Sequence, residues 1–351
     1  MQLNNQAIKD NILQSSTKIR VISIDIDAID ILPMAAKLSV APVLYFSTPK
    51  QHIEYLAIGQ WSINNNQDAR SLLQSTDAPL RLFGINAFNA NDTSVDSEYW
   101  VLPKFWIEKQ NQAWQIHIVA DCRNQAPNDC WNKLDQCLSA LQSKQLIHVD
   151  QSYHQVSHHP EKEAWIEQVN QIKSIIQTQS VEKVVLSRQT TFTFSHKVHP
   201  FLLLKDVQQK DNGVYNFCIK QNDTTAFIGG TPERLFELTN NRIESDALAG
   251  TAFKPDGIDV EKIKQALKTS KKNIGEHHYV VAFIKDQFNQ LCNNWQVSEQ
   301  RSVIELKYLI HLIAHFSGEL NQGVDWLDCI QALHPTPAVA GTPRNAACDI
   351  I

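Results

Sequence analysis

The sequence predicts an α+β protein in which two antiparallel sheets carry helices on their outer faces. Three observations predict it. Short apolar runs separated by turn residues dominate the N-terminal part. Two pairs of such runs are joined by polar turns, as hairpins are. Two long stretches, 161–179 and 259–291, switch to helical spacing.

Taken in order, 21–26 alternates apolar and polar positions as a half-buried strand does, and 43–46 and 55–58 are further short apolar runs. The runs 105–107 and 114–118 flank the polar segment EKQNQA and read as a hairpin. Between 121 and 146 the pattern turns helical. The segment 145–160 is polar and rich in histidine and reads as a solvated loop or link. His154, His158 and His159 would ligate a metal together only on a helical backbone. In 161–179, Trp165, Val169, Ile172 and Ile176 form one apolar stripe, with Pro160 placed as a first-turn proline. The β-branched run 183–188 reads as a strand, and 215–219 with 226–228 as a second hairpin. The stretch 259–291 is mostly helical, with Val280, Phe283, Ile284, Phe288 and Leu291 apolar. The residues before and after 150 read as two parts, 1–150 and 151–351, of a single structural domain.

Bulk composition narrows the function. The chain has 351 residues, room for one large domain or two ordinary ones. Hydrophobic residues make up 43% and charged residues 20%, which excludes a wholly disordered or fibrous chain. A net charge of −5 lacks the basic footprint of a nucleic-acid binder. The seven cysteines include no C-x-x-C pair, so neither a disulfide framework nor a zinc site is indicated, and they read as reduced thiols. No signal-peptide core opens the chain. The apolar stretch 308–314 is interrupted by His311 and is far short of a membrane span. A cytoplasmic protein is expected.

Five strings stand out: KVVLSR (183–188), FIGGTPERL (227–235), ALAGT (247–251), SKKNIGEHHYVV (270–281) and LHPTPAVAG (333–341). Each alone has an ordinary reading as an edge lysine, a turn, a small-residue loop, a wet helix face or a stiff loop. In this order and spacing they resemble the chorismate-utilising enzymes: isochorismate synthase, anthranilate synthase component I, aminodeoxychorismate synthase and salicylate synthase. The resemblance is firm from Trp165 onward and weaker before it. It implies two stacked antiparallel sheets flanked by helices, the fold of anthranilate synthase component I, with a cleft between them.

Two positions separate the reactions within the family. Isochorismate synthases carry a lysine at the head of the VVLSR strand, where ammonia-using members carry glutamine; here it is Lys183. Aminodeoxychorismate synthases carry a nucleophilic lysine just before the Gly-Thr of the loop; here it is Ala249. The resemblance therefore points to water as nucleophile, with Lys183 as base and Glu233 as acid. Water is a poor nucleophile and hydroxide a poor leaving group, so both are needed. Burial disfavours the charged forms of both side chains and so prepares both at once. They should face the ring from opposite sides, because direct contact would make them an ion pair.

The resemblance also implies Mg²⁺ at the ring carboxylate of chorismate, with Glu276 as a ligand; His277 and His278 beside it are poorer candidates, since Mg²⁺ prefers oxygen. Ala249, Gly250 and Thr251 would offer backbone and hydroxyl contacts to the substrate, and His334 and Thr336 would line the cleft. Arg344 reads as a surface residue. The family continues beyond the position of Ile351 with a further Mg²⁺-binding glutamate and substrate-binding residues, so the fold is expected to be incomplete at the C-terminus. The expected partner is chorismate, with no nucleic acid or membrane, and the protein itself is expected to be a monomer. Menaquinone synthesis is the first pathway implied and a catechol siderophore the second. A non-catalytic relative and an anthranilate-synthase-like amino transfer stay open.

Overall fold

A computed structural model of the chain describes residues 3–14, 18–88, 98–140, 152–178, 180–255, 257–298 and 302–351. They form two compact units. Met1–Gln151 groups with His196–Pro232, and Ser152–Ser195 groups with Glu233–Ile351. The sequence predicts 151–351 as one part. The structure instead returns 196–232 to the first unit, because Tyr215–Lys220 hydrogen-bonds along Val43–Ser47.

The first unit is built on a seven-stranded sheet. Ile19–Asp25, Ala113–Asp121, Phe105–Gln110, Ile53–Ile58, Val43–Ser47, Tyr215–Lys220 and Ala226–Thr231 lie side by side in that order, each neighbouring pair antiparallel. Both expected hairpins are present. The first turns at Asn111, whose positive φ of 55° suits an asparagine. One core runs through the unit, with Leu56, Phe105, Ile107, Ile116 and Ile118 fully buried. The helix Pro200–Lys210 has Pro200 in its first turn and buries Phe201 and Leu204. Its Gln208 joins a buried network in which Tyr45 donates to Glu54 at 2.7 Å and Lys109 pairs with Glu54 at 2.6 Å. The helix expected over 121–146 is found as Pro127–Ala140, and 141–146 lies outside the described residues.

The second unit is built on Glu237–Thr239, Arg242–Phe253, Leu309–Leu320 and Cys292–Val297, again antiparallel, with Ser302–Glu305 also paired to Leu309–Leu320. The helical stretch 259–291 is two helices, Val260–Thr269 and Lys271–Leu291. Ser270 separates them in an extended conformation and caps the second, accepting a hydrogen bond from the Asn273 N–H. Val280, Val281, Ile284, Phe288 and Leu291 face the sheet and pack with Ile243, Ala314 and Phe316. Fully buried Phe288 alone is worth about 3–5 kcal/mol against alanine.

Three expectations need correction here. Tyr153–His159 is a strand paired with Gln189–Phe194, not a loop. Successive side chains on a strand point to opposite faces, so His158 and His159 cannot ligate together, and His158 Nδ1 lies 3.0 Å from Thr190 Oγ1. The helix over 161–179 is Lys162–Gln177, but its apolar stripe is only half-buried and Pro160 lies outside it, before the N-cap Glu161. Of 183–188, only Lys183–Val184 is a strand, because its partner Gly341–Thr342 offers just two residues. The seven cysteines are free thiols. Among the described residues no helix is long and apolar enough to cross a membrane.

Candidate active site

All eight residues singled out from the sequence fall in the second unit. Lys183 sits on the short ladder to Gly341–Thr342, extended by Glu182 N–H to Thr342 O and Val185 N–H to Ala340 O, both 2.7 Å. This ladder holds the KVVLSR strand against the LHPTPAVAG turn. Gly341 is required there: a Cβ would lie 2.1 Å from the Lys183 carbonyl oxygen. Across the ladder, the Lys183 ammonium donates to the Pro337 carbonyl.

The helix Trp326–Leu333 aims that turn. It opens with a capping box between Asp325 and Asp328 and buries Leu327, Cys329 and Leu333. His334 is its C-cap, and the next residues carry Thr336 into the interior, 4% exposed. Thr336 Oγ1 donates to Glu233 Oε1 at 3.5 Å. Arg344, expected at the surface, is half-buried and bonds the carbonyls of Ala332 (2.8 Å) and His334 (3.4 Å), satisfying acceptors at the helix end. It braces the turn.

Electrostatically, Lys183, Glu233 and Glu276 form one group. Burial holds the Lys183 ammonium below the usual lysine range, opposed by the nearby charges of Glu276 and Glu233. Burial pushes the Glu233 carboxyl above the usual carboxylate range, opposed by the Thr336 hydroxyl and by Lys183. Both shifts favour the neutral forms. No ion pair joins Lys183 to Glu233 among the described residues, since the ammonium is taken by Pro337. The two sense each other without neutralising each other.

Lys183 and Glu276 line one hollow of about 620 Å³, together with Glu182, Lys272, Gly275 and Tyr279. Glu276 is half-buried there, 3.7 Å from Lys272 one helical turn away. His277 turns the other way, buried, with Nε2 3.3 Å from the Ala247 carbonyl, and His278 is exposed. Among the described residues no cluster of three ligating side chains exists.

Ala249, Gly250 and Thr251 form a second group. The ladder between Arg242–Phe253 and Leu309–Leu320 slips by one residue here, and Gly250 bulges out at φ +75°. Its close approach to the helix Lys271–Leu291 excludes a side chain, because a Cβ would meet the Asn273 carbonyl oxygen at 2.8 Å. Beyond the bulge, Thr251 stands opposite His311, its hydroxyl 2.9 Å from His311 Nδ1. His311 is buried, its pKa lowered by that burial, and its Nε2 has no hydrogen-bond partner. Sequence reasoning did not single out His311 as the partner of Thr251. The signal was present, a lone histidine inside an otherwise apolar run, but its meaning depends on the register that sets it against Thr251.

The model of the family described as "chorismate binding enzyme" matches residues 5–351. The isochorismate synthase MenF of Haemophilus influenzae is 26% identical over 349 residues, 96% of this chain and 76% of that protein. MenF of Bacillus subtilis is 30% identical over 194 residues, 54% of this chain and 41% of that protein. The structure of MenF, the menaquinone-specific isochorismate synthase from Escherichia coli, superposes with a TM-score of 0.89 at 24% identity, over 99% of this chain and 82% of that one. Anthranilate synthase component I from Streptococcus pneumoniae shares the fold at a TM-score of 0.63 and 15% identity, over 96% of this chain and 77% of that one. The α+β fold is thus that of the chorismate-utilising enzymes, and with a family match across almost its whole length the chain belongs to the chorismate binding enzyme family.

Proposed function

We propose that the chain is an isochorismate synthase, converting chorismate to isochorismate by adding water at C2 and releasing the C4 hydroxyl. The observation that carries this reading is the state of Lys183. It is a lysine whose charge is disfavoured by burial, beside a glutamate whose charge is disfavoured too, while position 249 holds an alanine without a nucleophile. The names of the relatives in Haemophilus, Bacillus and Escherichia support it.

In this reading neutral Lys183 takes a proton from the attacking water, and protonated Glu233 gives one to the C4 oxygen as its bond to carbon breaks. One water enters and one leaves, so the ring keeps its composition. Lys183 ends charged and Glu233 ionised, and proton exchange with solvent resets both. Thr336 holds Glu233 by its Oε1, and the Pro337 carbonyl accepts from Lys183 Nζ and fixes its position. Thr251, backed by His311, and the backbone of Ala249 and Gly250 bind substrate oxygens. His334 is a polar contact near the ring.

Mg²⁺ fits the hollow on one count: Glu276 is an oxygen donor lining it, held only by a long contact to Lys272. Glu276 would hold the ion, with the substrate and waters as further ligands, and the ion would neutralise the ring carboxylate. The enzyme would act in the cytoplasm as a monomer, in menaquinone synthesis, the pathway for which the Escherichia relative is specific.

The test is direct. The purified chain is given chorismate and Mg²⁺, and isochorismate is followed by chromatography. Product should form, stop on chelation with EDTA, and fall at least about 100-fold in rate in Lys183→Ala and in Glu233→Gln. A folded chain that makes no isochorismate, or makes anthranilate once ammonia is added, sinks the proposal.

A further inference from the structure

The first unit holds a hollow of its own, about 510 Å³, to which the chemistry above assigns nothing. It lies on one face of the seven-stranded sheet. Phe46 stands opposite Tyr55 on one side and opposite Phe217 on the other, so these three rings project from the same face. Phe227, 58% exposed on the edge strand, adds a wall at the mouth. The strand Phe83–Asn86, with Arg81 just before it, closes the opposite side.

Two glycines admit the rings packed about it. Gly229, in the FIGGTPERL string, faces Phe217 across the ladder, and a Cβ there would fall 2.4 Å from the Phe217 ring. Without one, the ring lies down over the neighbouring strand. Gly84 lines the hollow and leaves room for the Trp100 ring, which a Cβ would meet at 2.6 Å.

One cation borders this aromatic space. The Arg81 guanidinium lies 4.1 Å over the Tyr55 ring, which orients it. Its Nη2 reaches Glu108 at a long 3.3 Å, and its Nε is buried with no hydrogen-bond partner. Glu108 is itself shared, accepting from Trp106 Nε1 at 3.4 Å and facing His117 Nε2 at 3.7 Å. Arg81 is therefore held in place but only partly used. A planar fork of donors beside aromatic walls suits a carboxylate on a ring, and the volume is that of a small-molecule site.

We propose that this hollow binds a small aromatic or cyclic carboxylate, its ring against Phe46, Phe217 and Phe227 and its carboxylate on Arg81. Its lining shares no residue with the hollow at Lys183, and the proposal does not depend on the reaction assigned there.

The experiment uses the full chain, with 3-phenylpropionate as probe and its uncharged amide as control, by calorimetry and ligand-observed saturation-transfer NMR. The carboxylate should bind about tenfold or more tightly than the amide, the worth of one charge-assisted hydrogen bond. Arg81→Met should bring the acid down to the level of the amide. Phe227→Ala, which only shortens an exposed side chain, should weaken both and decides the matter if the arginine variant misfolds. Lys183→Ala should change neither. Equal binding of acid and amide, no saturation transfer, or loss of binding in Lys183→Ala but not in Arg81→Met would overturn the proposal.

Discussion

At the scale of single residues, Glu233 and Lys183 are placed against their own stability. The Glu233 pKa is raised in the folded chain, chiefly by burial. The folded state therefore binds its proton more tightly than the unfolded one. Stability is fully present below the ordinary carboxylate pKa and is lost as pH rises through the raised one. Glu233→Gln removes that cost while keeping the side chain's shape. The variant should melt at or above the wild type, with a gap that opens above the ordinary carboxylate pKa and levels off above the raised one. A gap that stays flat across this range in differential scanning calorimetry would show that Glu233 titrates ordinarily. The same two groups predict a bell-shaped kcat/KM profile. Its limbs should fall inside the window set by ordinary glutamate and lysine, since the Glu233 pKa is raised and that of Lys183 lowered. Limbs at the ordinary values would contradict the assignment.

At the scale of elements, the site depends on two close approaches that only glycine allows. Gly341 lets the LHPTPAVAG turn pair with the Lys183 strand, and Gly250 lets the bulged strand touch the Lys271–Leu291 helix. Gly341→Ala must move Lys183, since the added carbon would also meet Ala347 Cβ at 2.7 Å. A displaced base costs turnover, so kcat should fall roughly tenfold to a hundredfold. Gly250→Ala adds a positive φ that alanine resists, and should cost about 1–3 kcal/mol in urea unfolding. Wild-type kcat in the first variant, or an unchanged midpoint in the second, would show that the backbone yields more easily than these contacts imply. Both glycines lie in strings that stand out in the sequence, yet their reasons were not legible there. The 2.8 Å approach of Asn273 to Gly250 joins residues far apart in the chain.

At the scale of the whole molecule, each unit closes an antiparallel sheet over its own core, and order should follow burial. Leu309–Leu320 lies between paired strands and beneath Lys271–Leu291, with Ile310, Leu312, Ala314 and Phe316 buried. The ribbon of Tyr153–His159 and Gln189–Phe194 has only two strands and is largely exposed. Amide hydrogen exchange in the first should be slower by roughly two to three orders of magnitude. Comparable protection would mean that the ribbon is covered by something else in solution.

The sequence by itself determined the α+β class, both hairpins, the main helices and the family, because these rest on local periodicity and on short strings whose order along the chain is itself the signal. Through the resemblance that those strings carry, it also singled out Lys183, Glu233, Glu276 and the 249–251 loop. Tertiary structure decided what spacing along the chain does not carry. It returned 196–232 to the first sheet, turned the histidine-rich loop into a strand, made Arg344 a brace, and set His311 against Thr251. It also disfavoured the charged forms of Lys183 and Glu233 by burial. Lys183 and Glu233 lie 50 residues apart in the numbering, and the burial that disfavours both charges arises only when the LHPTPAVAG turn folds over them. Desolvation belongs to a site in space, so the resemblance could imply a base and an acid, while only the packing around them disfavours both charges.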